Sequence, residues 1–92
     1  MKVSEVKRRD GGIVLLIDGE RHTIPNLVVE ELNKMEEVEW AGYQLTHPLE
    51  SKVYLTIKVK KGAEPLETLI KALDKLISEY REVLESLKRE ES

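Results

Sequence analysis

The chain has 92 residues, enough for one domain, with a formal net charge of −3 and no cysteine. The acidic balance argues against a general nucleic-acid binder, and the lack of cysteine excludes disulfide frameworks and thiolate metal sites. The longest apolar run, Ile13 to Ile17, is too short to span a bilayer, and the charged N-terminus is unlike a signal peptide, so we expect a cytoplasmic protein.

The first predicted elements are two strands. Lys2 to Arg9 reads as a charged strand whose apolar points are Val3 and Val6. Asp10-Gly11-Gly12 predicts a hairpin turn, because glycine tolerates positive φ. Ile13 to Ile17 then predicts a strand that is buried on both faces or nearly so.

A short helix follows. Thr23 is a plausible N-cap, and Pro25 falls in the first turn, where its missing N–H costs little. The helix is predicted to end near Lys34. Val28 and Val29 are weak helix formers, so we expect this helix to depend on tertiary packing.

Two more strands are predicted next. Val38 to Leu45 has apolar residues on both faces, with Val38 and Trp40 on one face and Ala41, Tyr43 and Leu45 on the other. Lys52 to Lys60 alternates apolar and polar residues, as expected for a half-buried antiparallel strand. Its apolar face is predicted to carry Val53, Leu55, Ile57 and Val59, and its polar face Lys52, Tyr54, Thr56, Lys58 and Lys60.

A long final helix completes the pattern. Lys61-Gly62-Ala63 predicts a turn, and Pro65 suits the first helical position, whereas Glu64 is a poor cap by residue type. The helix is predicted to reach about Arg89, with residues 88–92 as a solvated tail of a single domain that spans 1–92. The order ββαββα predicts an α+β fold, in which two helices cover one face of a four-stranded antiparallel or mixed sheet.

The final helix predicts a binding partner. Its apolar residues cover an arc of roughly 160°, wider than a helix on one sheet needs. At 1.5 Å per residue it is about 37 Å long, so it should extend about 10 Å beyond its own sheet. Tyr80, Leu84 and Leu87 would then be exposed apolar residues, which usually mark an interface. The alternative is that the first strand or the first helix covers them.

Other chemistry is weakly indicated. His22 and His47 are the only histidines, and neither belongs to a metal-ligand motif such as HExxH. No serine or threonine lies in a nucleophile-elbow pattern, and no phosphate-binding glycine loop is present. The Lys52–Lys61 segment places lysines beside Tyr54, but one aromatic residue and an acidic chain do not make a nucleic-acid platform.

Two segments carry most of the functional information. They read Gly19-Glu20-x-His22-Thr23-x-x-Asn26-Leu27, and Trp40-Ala41-Gly42-Tyr43 followed by His47-Pro48-Leu49. In this order and spacing they resemble the motifs of the small alpha-like subunit family of cellular RNA polymerases, called subunit L in archaea. The family is related to the N-terminal dimerisation domain of bacterial alpha. The similar spacing extends over nearly the whole chain; Arg21 and Pro25 depart from residues usual in the family without removing a motif position.

The resemblance implies both a fold and a function. The chain would have the alpha-like dimerisation fold and be a non-catalytic subunit of DNA-directed RNA polymerase. It would heterodimerise, helix against helix, with the larger alpha-like subunit, called D in archaea. That dimer, joined by two small zinc-binding subunits, would be the platform on which the large catalytic subunits assemble. Because the active site belongs to the large subunits, the resemblance implies no cofactor, no metal and no direct nucleic-acid contact for this chain.

The apolar helix and the resemblance indicate the same interface. We expect the partner to contact Leu27, Val28 and Leu32 of the first helix and Ile70, Leu73, Ile77, Tyr80, Leu84 and Leu87 of the last. The motif residues are expected to be structural: Gly19, Glu20, His22, Thr23, Asn26, Trp40, Gly42, Tyr43, His47 and Pro48. Two other hypotheses remain: a free-standing homodimeric α+β interaction module, and a small enzyme or metal protein that uses the two histidines.

Overall fold

The structure, a computed structural model, describes residues 2–9, 11–18, 23–45 and 52–91. Its elements follow the predicted order, which confirms the α+β fold class. They are β1 (Lys2–Arg9), β2 (Gly12–Asp18), α1 (Thr23–Asn33), β3 (Val38–Leu45), β4 (Lys52–Val59) and α2 (Pro65–Glu91). α2 therefore continues two residues beyond the predicted end, and residues 88–90 of the predicted tail are helical and exposed.

The four strands form one antiparallel sheet in the order β1-β2-β4-β3. The β1–β2 hairpin turns at Gly11, whose φ of 72° lies in the region that favours glycine. α1 packs mainly on β3, and α2 packs on β4, β2 and α1, so both helices cover the same face. The core between the layers consists of Ile13, Leu15, Ile17, Val28, Leu32, Val38, Ala41, Val53, Leu55, Ile57, Val59, Leu69 and Ala72.

The faces of β3 differ from the prediction because the strand is bulged. The register shifts between Val38, which lies opposite Val59, and Trp40, which lies opposite Lys58. Val38 and Ala41 consequently share the core face, whereas Trp40 lies on the opposite, open face. The prediction that Val38 and Trp40 share a face was wrong, since simple alternation does not allow for the extra residue.

β1 also contains a bulge, at Ser4. Val3 lies opposite Ile17 and Val6 lies opposite Leu15, with a register shift between them. Directly opposed residues of antiparallel strands point to the same face, so both valines lie on the core side of the sheet. They are nevertheless 50% and 47% exposed, because no described helix covers β1.

Asn33, the last residue of α1, joins that helix to the outer edge of β3. Its amide Nδ2 donates to the carbonyl oxygen of Ala41 at 3.1 Å, and its Oδ1 accepts from the Ala41 N–H at 3.0 Å. The side chain thus satisfies backbone groups that an edge strand would otherwise expose. The two edges of the sheet therefore differ, since β3 carries this amide and β1 does not.

Ion pairs join α2 to α1 and to the segment that follows α1. The carboxylate of Glu31, which is 3% exposed, lies 3.0 Å from Lys75 Nζ on α2. As a hydrogen-bond acceptor and as a negative charge, Glu31 raises the pKa of Lys75 above its ordinary value. Lys71 of α2 also pairs with Glu37, at 3.7 Å. Because α1 lies along this side of α2, the partly exposed apolar residues of α2 face elsewhere.

Glu64 caps α2, contrary to what its residue type predicted. Its Oε2 accepts from the backbone N–H of Glu67 at 2.9 Å, and its Oε1 accepts from the Arg8 guanidinium at 2.9 Å. The Glu67 N–H, followed by Arg8, holds the pKa of Glu64 below its ordinary value. A cation on β1 thus orients a longer side chain into the position that Ser or Asp usually fills at a helix start.

Replacing Glu64 with Gln is expected to reduce the loss of stability on acidification. Because folding lowers the pKa of Glu64, its contribution is complete above its ordinary value of 4.5 and is lost as the pH falls through the lowered value. Gln keeps an acceptor oxygen but does not titrate. Between about pH 7 and about pH 3 the melting temperature should therefore fall less in Glu64→Gln than in the parent. Glu67→Gln, in the same helical turn, is the control, and equal falls in all three proteins would contradict the expectation.

Candidate protein-protein interface

α2 packs on the sheet only along its first half. Thr68, Leu69 and Ala72 are buried, and Leu66 and Leu76 are half-buried. Beyond Leu76 every residue through position 90 is exposed. From Ile77 onward the helix therefore extends about 20 Å past its own core, roughly twice the predicted length. The prediction aligned the helix with a whole strand, whereas the observed packing ends after about three turns.

The exposed apolar residues of α2 form a regular stripe. Ile70, Leu73, Ile77, Tyr80, Leu84 and Leu87 recur at alternating steps of three and four residues, and each is between 37% and 61% exposed. We call these six residues the α2 seam. Steps of three and four place side chains on one line along a helix and are the spacing by which one helix packs against another. The geometry of the α2 seam therefore suits a second helix as its partner.

The predicted contact residues of α1 are placed differently. Val28 is 4% exposed and Leu32 is fully buried, since both pack in the core of the single chain. They are not accessible to a partner, so the prediction that they contact one is corrected. Leu27 is half-buried and remains partly accessible. An apolar stripe on a short helix cannot reveal whether its own sheet or another chain covers it.

Three exposed apolar residues were missed as candidates for the interface. Val83 of α2 is 56% exposed next to the α2 seam, and Val3 and Val6 of β1 are exposed on the core side of the sheet. β1 and β2 lie on the side of the sheet away from β3 and α1, so the uncovered side of β1 adjoins the side of α2 that α1 leaves free. The spacing of Val3 and Val6 was visible in the sequence, but only the bulge at Ser4 places them on one face.

The motif residues fall into two groups. Asn26 is an exposed residue of α1, Trp40 lies across Gly42 on the open face, and Tyr43 is half-buried against the core. Thr23 begins α1, although its side chain is not described. The other predicted motif positions lie outside the described residues: Gly19, Glu20, His22, His47 and Pro48. Structural roles for these positions therefore stay predictions.

Neither a metal cluster nor a membrane helix is found in the part of the chain that the structure describes. No group of three or more His, Cys, Asp or Glu side chains there is arranged to hold a metal ion. Among the same residues, no helix is long and apolar enough to cross a bilayer. Both histidines lie outside the described ranges, so the structure does not test a site that uses them.

Comparison with known proteins, like the α2 seam, indicates a dimerisation domain. Residues 13–86 match the family model described as the RNA polymerase Rpb3/Rpb11 dimerisation domain. DNA-directed RNA polymerase subunit Rpo11 of Korarchaeum cryptofilum is 42% identical over 80 residues, which cover 87% of this chain and 80% of that protein. Rpo11 of Thermococcus kodakarensis is 32% identical over 90 residues, 96% of each chain.

A eukaryotic relative and a solved structure extend the likeness. A probable RPAC2 subunit of RNA polymerases I and III from Caenorhabditis briggsae is 40% identical over 67% of this chain and 43% of its own length. The crystal structure of RNA polymerase subunit L from Thermoplasma acidophilum matches with a TM-score of 0.81 over 94% of this chain and 85% of that one. At 23% identity the latter shows a common fold. With its α2 seam and its matched residues 13–86, the chain belongs to the Rpb3/Rpb11 dimerisation domain family.

Proposed function

We propose that the chain is the small alpha-like subunit, the L or Rpo11 type, of an archaeal DNA-directed RNA polymerase. Its function is to heterodimerise with the larger alpha-like protein, called D, and so to form the platform on which the enzyme assembles in the cytoplasm. The observation that carries this proposal is the exposed α2 seam in a chain of a dimerisation family. Relatives named Rpo11 among the archaea support the choice of subunit.

The energetics favour an interface larger than the α2 seam alone. Each side chain of the seam is about half exposed, so its full burial would contribute on the order of 1 kcal/mol. With a similar contribution from the partner's side the total is about 12 kcal/mol before the cost of association, so the net falls short of the roughly 12 kcal/mol of a nanomolar complex. Burial of Val3 and Val6 by the partner would add apolar area on the side of α2 that α1 leaves free. We therefore include these two valines in the proposed interface.

The proposed role is architectural. In this assignment the chain supplies no catalytic group, and nucleotidyl transfer is carried out by the large subunits that assemble on the L–D platform. The two small zinc-binding subunits join the same platform. The chain therefore associates with them and with the large subunits only as part of the L–D dimer. The exposed α2 seam supports an architectural role, because its spacing suits packing against another helix.

The test is size-exclusion chromatography with light scattering on the chain alone and on its mixture with the D protein of the same organism. A stable 1:1 complex, with the lone chain monomeric or aggregating, is the expected result. The alternative function, a free-standing homodimeric module, has one observation in its favour, since the α2 seam could also pair with its own copy. A well-behaved homodimer that ignores D would replace the proposal with that alternative.

A further inference from the structure

The face of the sheet opposite the helices has its own pattern of side chains. Residues directly opposite each other across antiparallel strands share a face, so the strand register groups them into rows. One row on the open face runs from Arg9 through Gly12 and Lys58 to Trp40, and crosses all four strands. No described element covers this row, since α1 and α2 both lie on the other face.

Positive charge in this row is not neutralised by the described residues. Elsewhere on the open face Lys7 lies 3.6 Å from Glu5, and Lys52 lies 4.0 Å from Asp18. Arg9 and Lys58, by contrast, form no ion pair with a described carboxylate. Among the described residues the open face therefore carries two cations without a carboxylate partner, although the chain as a whole is acidic.

Gly12 leaves a notch between the two cations. Its position one strand away from each places Arg9 and Lys58 about 10 Å apart across the sheet. A Cβ atom at position 12 would lie only 2.5 Å from the backbone oxygen of Ile57, so a side chain cannot fill the notch without moving β4. Val14 and Thr56 line the same depression. Two carboxylates on a neighbouring protein segment would fit the spacing of the cations.

Trp40 provides an aromatic platform at the end of the row. Its indole lies against Gly42, where an added Cβ would come within 2.7 Å of the ring. The ring is thus held close to the backbone of β3, and the residue is 54% exposed. Tyr54, also exposed, lines a shallow pocket together with Trp40 and Gly42. Exposed tryptophan and tyrosine side chains are typical of the residues that dominate protein-protein binding energy.

These features favour a protein partner over a nucleic acid. Affinity for nucleic acid comes from neutralising many phosphates, whereas the described part of this row offers two cations, Arg9 and Lys58. The half-buried Val14 and Leu16 give the middle of the face an apolar floor, which suits protein side chains. Charge complementarity then selects an acidic segment.

We propose that the open face docks an acidic segment of another polymerase subunit, with its carboxylates at Arg9 and Lys58 and an apolar or aromatic residue on Trp40. This inference rests on the proposed function, since it assumes that the chain works inside a polymerase. The docking face lies on the opposite side of the sheet from the α2 seam, so both partners can be bound at once. The chain would then act as a two-sided connector between D and a further subunit.

The test uses Arg9→Glu combined with Lys58→Glu in the L–D heterodimer. Pairing with D is measured first, by size-exclusion chromatography with light scattering. The heterodimer then competes with a fluorescently labelled parent heterodimer for incorporation into polymerase reconstituted from the remaining purified subunits. We expect normal pairing with D and incorporation at least about tenfold weaker at low salt, with a smaller salt dependence than the parent shows. Trp40→Ala should also weaken incorporation without changing pairing.

The matched control is Lys61→Glu combined with Arg89→Glu, which makes the same change in charge at two exposed residues outside the open face and the α2 seam. Parent-like competition by the Arg9/Lys58 variant would overturn the docking proposal while leaving the L–D proposal intact. Failure of the parent chain to pair with D would instead overturn the proposed function. If the charge reversals prevent folding, Arg9→Gln with Lys58→Gln answers the same question.

A nucleic-acid ligand is distinguished separately. The parent heterodimer and the Arg9/Lys58 reversal are titrated with a fluorescein-labelled oligouridylate of about ten nucleotides, a length that spans a single-strand site of ordinary size. The docking proposal expects no binding that depends on these two residues. Binding that the reversal abolishes, together with unchanged incorporation into polymerase, would overturn the docking proposal in favour of a nucleic-acid site.

Discussion

Ile77→Asp combined with Leu84→Asp is expected to abolish pairing with the alpha-like partner. Both residues lie at the centre of the α2 seam and are 51% exposed in the lone chain. An aspartate there is solvated in the free protein, but pairing would bury its charge in an apolar interface. Central apolar residues of an interface typically contribute about 2 kcal/mol or more each, so the double variant should weaken affinity by about a thousandfold or more.

The matched control for that variant is Ser78→Asp combined with Ser86→Asp. It adds the same two negative charges to the same part of α2, at exposed positions that lie off the α2 seam. Light scattering of the mixture and isothermal titration calorimetry measure the affinity of each variant for D. The serine variant should bind like the parent. Parent-like affinity of the Ile77/Leu84 variant would show that the partner contacts another face.

The periodicity of the sequence predicted β4 and α2 well, because each of these two elements has a pattern that only one local structure satisfies. The alternation from Lys52 to Val59 allows only a strand with one buried face, and its apolar residues are all buried in the core. The length and apolar arc of α2 predicted an exposed stripe, which is observed. These predictions succeed because local geometry and burial act in the same direction.

The bulges were not predictable from alternation. Each inserts one residue, in β1 at Ser4 and in β3 after Val38. Strand residues before the bulge therefore lie on the face opposite to the one that simple alternation predicts from the residues after it. The wrong face predicted for Trp40 had a functional consequence. The strand pattern alone placed only one aromatic residue among the basic residues of the sheet, whereas the structure places Trp40 and Tyr54 on the same open face. The proposed docking site on the open face could therefore be found only from the register of the strands.

Tertiary context decided the remaining differences. Glu64 caps α2 because Arg8, distant in sequence, holds its carboxylate in place. Val28 and Leu32 belong to the core because α1 lies directly on the sheet, with Glu31 paired to Lys75 beside it. The sequence pattern predicts that an apolar residue is buried. Which part of the protein, or which partner, buries it depends on the whole fold.

Leu32→Ala is expected to lower the free energy of unfolding of the single chain by about 2–5 kcal/mol, because it leaves a cavity in a fully packed core. Leu32 is 0% exposed, so the single chain already covers its side chain completely. A domain of ordinary stability has only about 5–15 kcal/mol in total, so the variant should be severely destabilised. Urea denaturation followed by circular dichroism measures the effect.

Ile77→Ala is the comparison that gives this prediction its force. Ile77 has the same character but is half exposed in the lone chain, so its truncation should change the free energy of unfolding by only about 0.5 kcal/mol. The affinity of Ile77→Ala for D, however, should fall. The folded fraction of Leu32→Ala should bind D almost normally. Leu32→Ala should therefore have the larger effect on stability, and Ile77→Ala the larger effect on affinity for D. If Leu32→Ala instead left stability intact and weakened pairing, α1 would be part of the interface and its assignment to the core would be wrong.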